Sequence, residues 1–141
     1  MQPAQRIIEV VVEGRRRKCR LRGAAIVALL LLGPGTAALA ADPAAGQKIF
    51  QTQCGICHAV EAGRNGIGPT LFGVVGRRSG SVAGFNYTAD HKKLDVTWDA
   101  ATLDKYLANP RAMVPDTSMI YAGLKDNAER ADLVAYLATL H

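Results

Sequence analysis

No apolar run in this chain of 141 residues is long enough to cross a bilayer. The longest, Ala24–Leu32, stops at Gly33-Pro34-Gly35, well short of the roughly 20 residues a span requires. Charge of one sign is also missing from most of the chain. The formal net charge is +5, but seven of the 17 basic residues and two of the 12 acidic ones lie in 1–40. That leaves ten of each in 41–141, so the body is neutral apart from its histidines, and a nucleic-acid partner has no support. Cysteine is scarce: Cys19, Cys54 and Cys57 are the three. No internal repeat and no convincing strand alternation is visible. Their absence excludes repeat architectures and leaves no pair of strands from which to start a sheet.

The N-terminus has a definite order. A basic stretch, Arg15–Arg22, precedes the apolar Ala24–Leu32, and the small-x-small site Ala38-Leu39-Ala40 follows. This is the order of a secretory signal. We therefore expect residues 1–40 to be a signal peptide cleaved near Ala40, and 41–141 to be one exported, periplasmic domain. The alternative is an uncleaved N-terminal membrane anchor, which the short apolar run disfavours. The 14 residues ahead of Arg15 make a long leader and leave room for a start further downstream. Cys19 precedes the apolar run and is expected to leave with the signal.

The body reads as all-α with long ordered loops. Asp42-Pro43 is a helix start, an N-cap acid followed by proline at the first helical position. Residues 62–85 hold seven glycines and form an irregular loop that must enclose something to be ordered. Thr88–Lys93 is a short helix. Thr97 is the candidate N-cap of a helix over Trp98–Ala108, with Leu103, Tyr106 and Leu107 on one face. Asn109-Pro110 stops that helix and starts a short one, and 114–124 lacks periodicity. Asp126 with Glu129 opens a final helix that runs to about Leu140.

Cys54-Gly55-Ile56-Cys57-His58 is C-x-x-C-H, the attachment signature of c-type haem. Two cysteines three apart on a helical turn reach the two vinyl groups along one porphyrin edge, and the next histidine faces the iron from the same side. Export fits, because in bacteria attachment occurs outside the cytoplasm. Other readings are weaker. A thioredoxin-like pair needs a βαβ context. A zinc site needs two more ligands at workable spacing. A disulfide between Cys54 and Cys57 closes too small a loop to stabilise much. One covalent haem c would form much of the core of so small a domain. For the second axial position the candidates are Met113, Met119, His91 and His141. His91 lies in a polar stretch and reads as solvated. His141 is terminal, and Met113 reads as packing. Met119 follows Val114-Pro115 in a rigid, aperiodic loop and is favoured. Imidazole with thioether gives a high potential and leaves no open site.

Beyond the motif, nearly all of 42–140 resembles the class I c-type cytochromes, the family of mitochondrial-type cytochrome c and bacterial cytochrome c2. Gly46-Gln47-Lys48-Ile49-Phe50 is similar to the family's first helix, and Arg130–Leu137 to its last. The resemblance implies that the two cross, with Gly46 and Phe50 against Leu133 and Tyr136. It implies that Pro69 accepts the His58 ring N–H, that Arg77, Tyr87 and Trp98 hold the haem propionates, and that Thr117 lies near one. It also places Tyr106 at the axial methionine sulfur and again selects Met119. Departures stand out. Asp116 replaces the usual glycine of the methionine loop, which by chain conformation alone implies a weaker iron–sulfur bond or a looser loop. His91 stands where the family often has an asparagine lining a buried water. Gln53 and Ser118 replace lysines of the mitochondrial members, while Arg111 and Lys125 remain.

The function implied is a monomeric, periplasmic one-electron carrier. It would dock transiently by its haem edge on a cytochrome bc1-type donor, an oxidase, a reaction centre or a dehydrogenase. One alternative is an electron-accepting subunit held by a periplasmic dehydrogenase. Another is a haem enzyme with an open sixth site, which requires loss of Met119 from iron.

Overall fold

The computed structural model describes residues 40–141. The signal segment expected over 1–40, with Cys19, lies outside the described residues apart from Ala40. Five helices run in order: α1 (Pro43–Gln53), α2 (Ala89–Lys93), α3 (Ala100–Ala108), α4 (Pro110–Met113) and α5 (Asn127–Leu137). Among the described residues there is no strand, only an isolated bridge between Arg78 and Thr97. None of these helices is long and apolar enough to cross a membrane. The all-α expectation holds.

Helix starts follow from local chemistry. Asp42 accepts from the Ala44 amide, with Pro43 behind it. Asp126 accepts from both Ala128 and Glu129, so two of the donors that a helix N-terminus leaves free are satisfied by one carboxylate. Two boundaries differ from the sequence reading. The N-cap of α3 is Asp99, which accepts from the Thr102 amide at 2.7 Å, not Thr97. Thr97 and Trp98 are committed elsewhere: Trp98 donates its amide to Arg77 and accepts from Gly76. That pairing with the 76–78 segment keeps the backbone extended for two more residues. At the other end α5 stops at Leu137, short of Leu140, and finishes in turn bonds through Ala138 and Thr139.

The core forms where α1 and α5 cross and α3 packs beside them. Phe50, Leu103, Tyr106, Leu107, Leu133, Val134 and Leu137 are all buried there. A Cβ built on Gly46 would lie 2.0 Å from the Asp132 carbonyl oxygen and 2.9 Å from the Tyr136 Cβ. Only a residue without a side chain permits this approach. The Phe50 and Tyr136 rings meet at 5.5 Å, and the Asp42 amide donates to the Asp132 carboxylate at 2.7 Å. The expected crossing is therefore present.

Arg130 fastens α5 to its surroundings. It is buried, and its guanidinium donates to Asp104 on α3 at 2.6 Å, to the Leu124 carbonyl at 3.0 Å and to Asn127 at 2.8 Å. A buried charge with this many partners is tolerable. It fixes the end of the 114–124 loop against two helices.

Candidate haem-binding site

Beneath the crossing lies a cavity of about 490 Å³, open to one side, within the ordinary range for a cofactor pocket. Its floor is apolar: Leu71, Val74, Leu103, Leu107, Leu133 and Leu137. The loops expected to enclose something do so, since 67–77, 85–91 and 117–121 all reach it.

The cysteine motif continues from the last turn of α1. The Cys54 amide donates to Phe50, and the Cys57 and His58 amides both donate to Cys54. This tight turn brings Cys54, Cys57 and His58 to the cavity together, while Ile56 between them faces solvent. Burial, and secondly the neighbouring Cys57, push the Cys54 thiol up to about 11. It is protonated at neutral pH, which is unlike the low-pKa thiols of nucleophilic enzymes.

His58 is oriented by its neighbour. Its Nδ1 lies 2.8 Å from the Pro69 carbonyl oxygen. Burial holds the ring below its ordinary range, against the Pro69 bond, which raises it, while Arg77 nearby lowers it further. A neutral ring beside a carbonyl places its proton on Nδ1, which donates to Pro69, and leaves the Nε2 lone pair free as a ligand. Gly68 makes room for this: a Cβ there would stand 2.3 Å from the His58 Cε1. Nothing in the local sequence besides the glycine itself signals that requirement.

The other expected site residues converge on the same cavity. Arg77, Tyr87, Trp98, Tyr106, Thr117, Met119 and Pro69 all line it. Met113 does not; it packs against the core, as its sequence reading has it. Arg77 is held by the Phe72 and Thr70 carbonyls at 2.7 and 2.8 Å, and Thr70 is in turn held by the Asn65 side chain at 3.0 Å. Thr117 is buried, lines the cavity with Tyr106, and accepts the Met119 amide at 3.2 Å. Its hydroxyl thus braces the residue two further on.

The reading of His91 as solvated is wrong. The ring is half-buried and lines the cavity within an aromatic group. It stacks on Tyr87 at 4.8 Å and faces Trp98 and Tyr106, each at 6.2 Å, and those two meet at 4.9 Å. The polar run His91-Lys92-Lys93 conceals this because a five-residue helix shows only one face inward, and His91 alone occupies it. At the mouth of the cavity sit two residues that the sequence reading missed, Ile67 and Ile120, 78% and 100% exposed. The sequence signal for Ile67 is an isolated apolar side chain between two glycines; Ile120, between Met119 and Tyr121, has none. Tyr121 closes this side by donating to the Gln53 side chain at 2.9 Å.

The residues present fit a covalent haem. There are two thiols and an imidazole on one turn, a thioether on a separate loop, an apolar floor and one arginine with polar aromatics at one side. Comparison with known proteins agrees. The family model for cytochrome c matches residues 43–141. A cytochrome c2 of Rhodomicrobium vannielii is 48% identical over 118 residues, 83% of this chain and 94% of that protein. A cytochrome c2 iso-2 of Magnetospirillum fulvum is 51% identical over 87 residues, 62% of this chain and 91% of its own length. A cytochrome c of Ginkgo biloba is 46% identical over 97 residues, 68% and 86% respectively.

Proposed function

The chain belongs to the cytochrome c family, whose members carry electrons on covalent haem c rather than catalyse bond chemistry, and from that premise we propose a periplasmic, diffusible carrier ligated by His58 and Met119. The observation that supports this best is the 2.8 Å bond from His58 to Pro69. It fixes the tautomer and aims the free imidazole nitrogen into a cavity that Met119 also lines. Haem c supplies an iron that cycles between ferrous and ferric states.

The chain's own residues set the conditions for that cycle. Cys54 and Cys57 would form the thioethers. The aliphatic floor would exclude water, which favours the less charged ferrous site. Arg77, Tyr87, Trp98 and Thr117 would hold the propionates, and Arg77 has guanidinium N–H donors to offer beyond the two given to Thr70 and Phe72. Tyr106, which lines the same cavity as Met119, would meet the methionine sulfur. Residues 1–40 are read as the export signal. Docking with redox complexes takes place at the cavity mouth, where electron transfer distance is shortest.

The test is the optical spectrum of the haem-loaded protein beside Met119→Ala. The oxidised wild type is expected to show the weak near-infrared charge-transfer band of sulfur-ligated ferric haem, and the variant to lack it. A wild type without that band, whose reduced form takes up carbon monoxide, has an open iron and defeats the reading.

A further inference from the structure

The 114–124 loop that carries Met119 is fastened at both ends and at points between. Leu124 donates its amide to Leu107, and Val114 donates to Pro110. Thr117 is buried and lines the cavity with Tyr106, and Tyr121 donates to the Gln53 side chain on α1. One further tie runs to α2. The carboxylate of Asp116 accepts the Asp90 amide at 3.1 Å, with Thr88 and the Ala89 amide nearby. Among the described residues this is the loop's only hydrogen bond to α2.

The chemistry of this contact is that of a helix cap supplied from outside the helix. The first turn of any helix leaves amide donors unpaired. Thr88, the N-cap of α2, satisfies only the His91 amide, at a long 3.4 Å. Asp116 takes the Asp90 amide, which Thr88 leaves. Its negative charge also suits that end of the helix. Partial desolvation pushes the Asp116 carboxyl up, but the Asp90 bond, the nearby Thr88 hydroxyl and Ala89 amide and the charge of Lys93 outweigh it and hold the group below the usual carboxylate range. The contact is therefore ionised at neutral pH.

We propose that Asp116 is a positioning residue for the axial methionine, its carboxylate fastening the methionine loop to α2 so that Met119 stays on the iron. The inference rests on Met119 as the sixth ligand. It reverses the sign expected from chain conformation, in which an aspartate in place of glycine loosens the loop. Asp116 lies three residues before Met119, and Thr117 anchors the residue between. With both held, the Ser118–Ala122 stretch has a fixed base from which to present the sulfur. Met119 must leave the iron before any other ligand can enter. Release therefore requires this base to shift, and the Asp116 contact opposes the shift.

The experiment compares the ferric holoprotein with its Asp116→Ala and Asp116→Asn variants. The limiting rate of imidazole uptake reports how often Met119 leaves the iron. Amide hydrogen exchange at Asp90 reports the contact itself. Loss of an exposed capping carboxylate should raise the limiting rate roughly three- to tenfold in Asp116→Ala, with Asp116→Asn between it and wild type. Asp90 exchange should rise by a similar factor, and the thermal midpoint should move little. If the wild type shows its near-infrared band but neither rate changes in Asp116→Ala, the proposal is overturned while Met119 ligation stands. If imidazole uptake rises only as far as global unfolding does, Asp116 is merely structural and the proposal again falls. If the wild type lacks the band, Met119 is not the ligand, and both readings fail together.

Discussion

His91 is the residue whose placement has the most direct chemical consequence. Its ring is enclosed by Tyr87, Trp98 and Tyr106 and has the Asp116 carboxylate as its nearby charge. Burial holds it below the ordinary value of 6.5, and Asp116 raises it only in part. The folded pKa is depressed, so the neutral ring contributes stability that is fully present above pH 6.5 and lost as pH falls through the folded value. The same proton acts on the iron. A cation inside the cavity disfavours the more positive ferric site, so a protonated His91 raises the potential. Potential is therefore expected to fall as pH rises through the His91 titration, which lies below 6.5. Redox titration at several pH values measures the slope, and His91→Asn should flatten it. An unchanged slope in that variant would assign the proton to another group.

At the scale of elements, the crossing of α1 and α5 decides whether the cavity exists at all, and Gly46 decides the crossing. An alanine Cβ at that position would lie 2.0 Å from the Asp132 carbonyl oxygen and 2.5 Å from its carbon. These are backbone atoms of a helix and have no rotamer by which to yield. Alanine recovers about 1 kcal/mol of helix propensity, but forced separation of packed helices costs about 3 kcal/mol. The clash wins. Gly46→Ala is expected to lose roughly 2 kcal/mol in urea unfolding, and a neutral or stabilising result would show that the helices can slide apart without cost. The helices themselves were legible in the sequence because their caps are local. Asp42-Pro43, Thr88 and Asp126 each bond an amide two or three residues on. The start of α3 was misplaced because Thr97 is claimed by a non-local partner, the 76–78 segment, and no local pattern reveals that. The candidate site divides the same way. The cysteine motif and the Met119 loop have fixed spacing and could be found. The Asp116 contact joins residues 26 apart, and the aromatic enclosure of His91 draws on Tyr87, Trp98 and Tyr106 from three separate segments; only the folded chain brings these together.

For the molecule as a whole, the distribution of charge governs how it meets a partner. The body carries ten basic and ten acidic residues, so it has no net field to steer an approach from a distance. The mouth of the cavity repeats this locally. Ile67 and Ile120 there are 78% and 100% exposed, Ile56 on the adjoining cysteine turn is 84% exposed, and Gln53 and Ser118 at the cavity are uncharged. Arg111 and Lys125 remain exposed further along the same loop region. Two cations offer a weak attraction at most, whereas burying three isoleucines against an apolar face is favourable at any salt concentration. Electron transfer to a purified redox partner should therefore vary little with ionic strength. Between about 0.01 and 0.15 M the screening length shrinks from about 30 to 8 Å, and the second-order rate is expected to change by less than about threefold. Strongly steered pairs lose tenfold or more over such a range. Gln53→Lys with Ser118→Lys supplies the contrast, since the added charges should create a salt dependence toward an acidic partner. A wild-type rate that already falls tenfold with salt would mean that charges away from the mouth set the approach, and the isoleucines would then lie outside the docking contact.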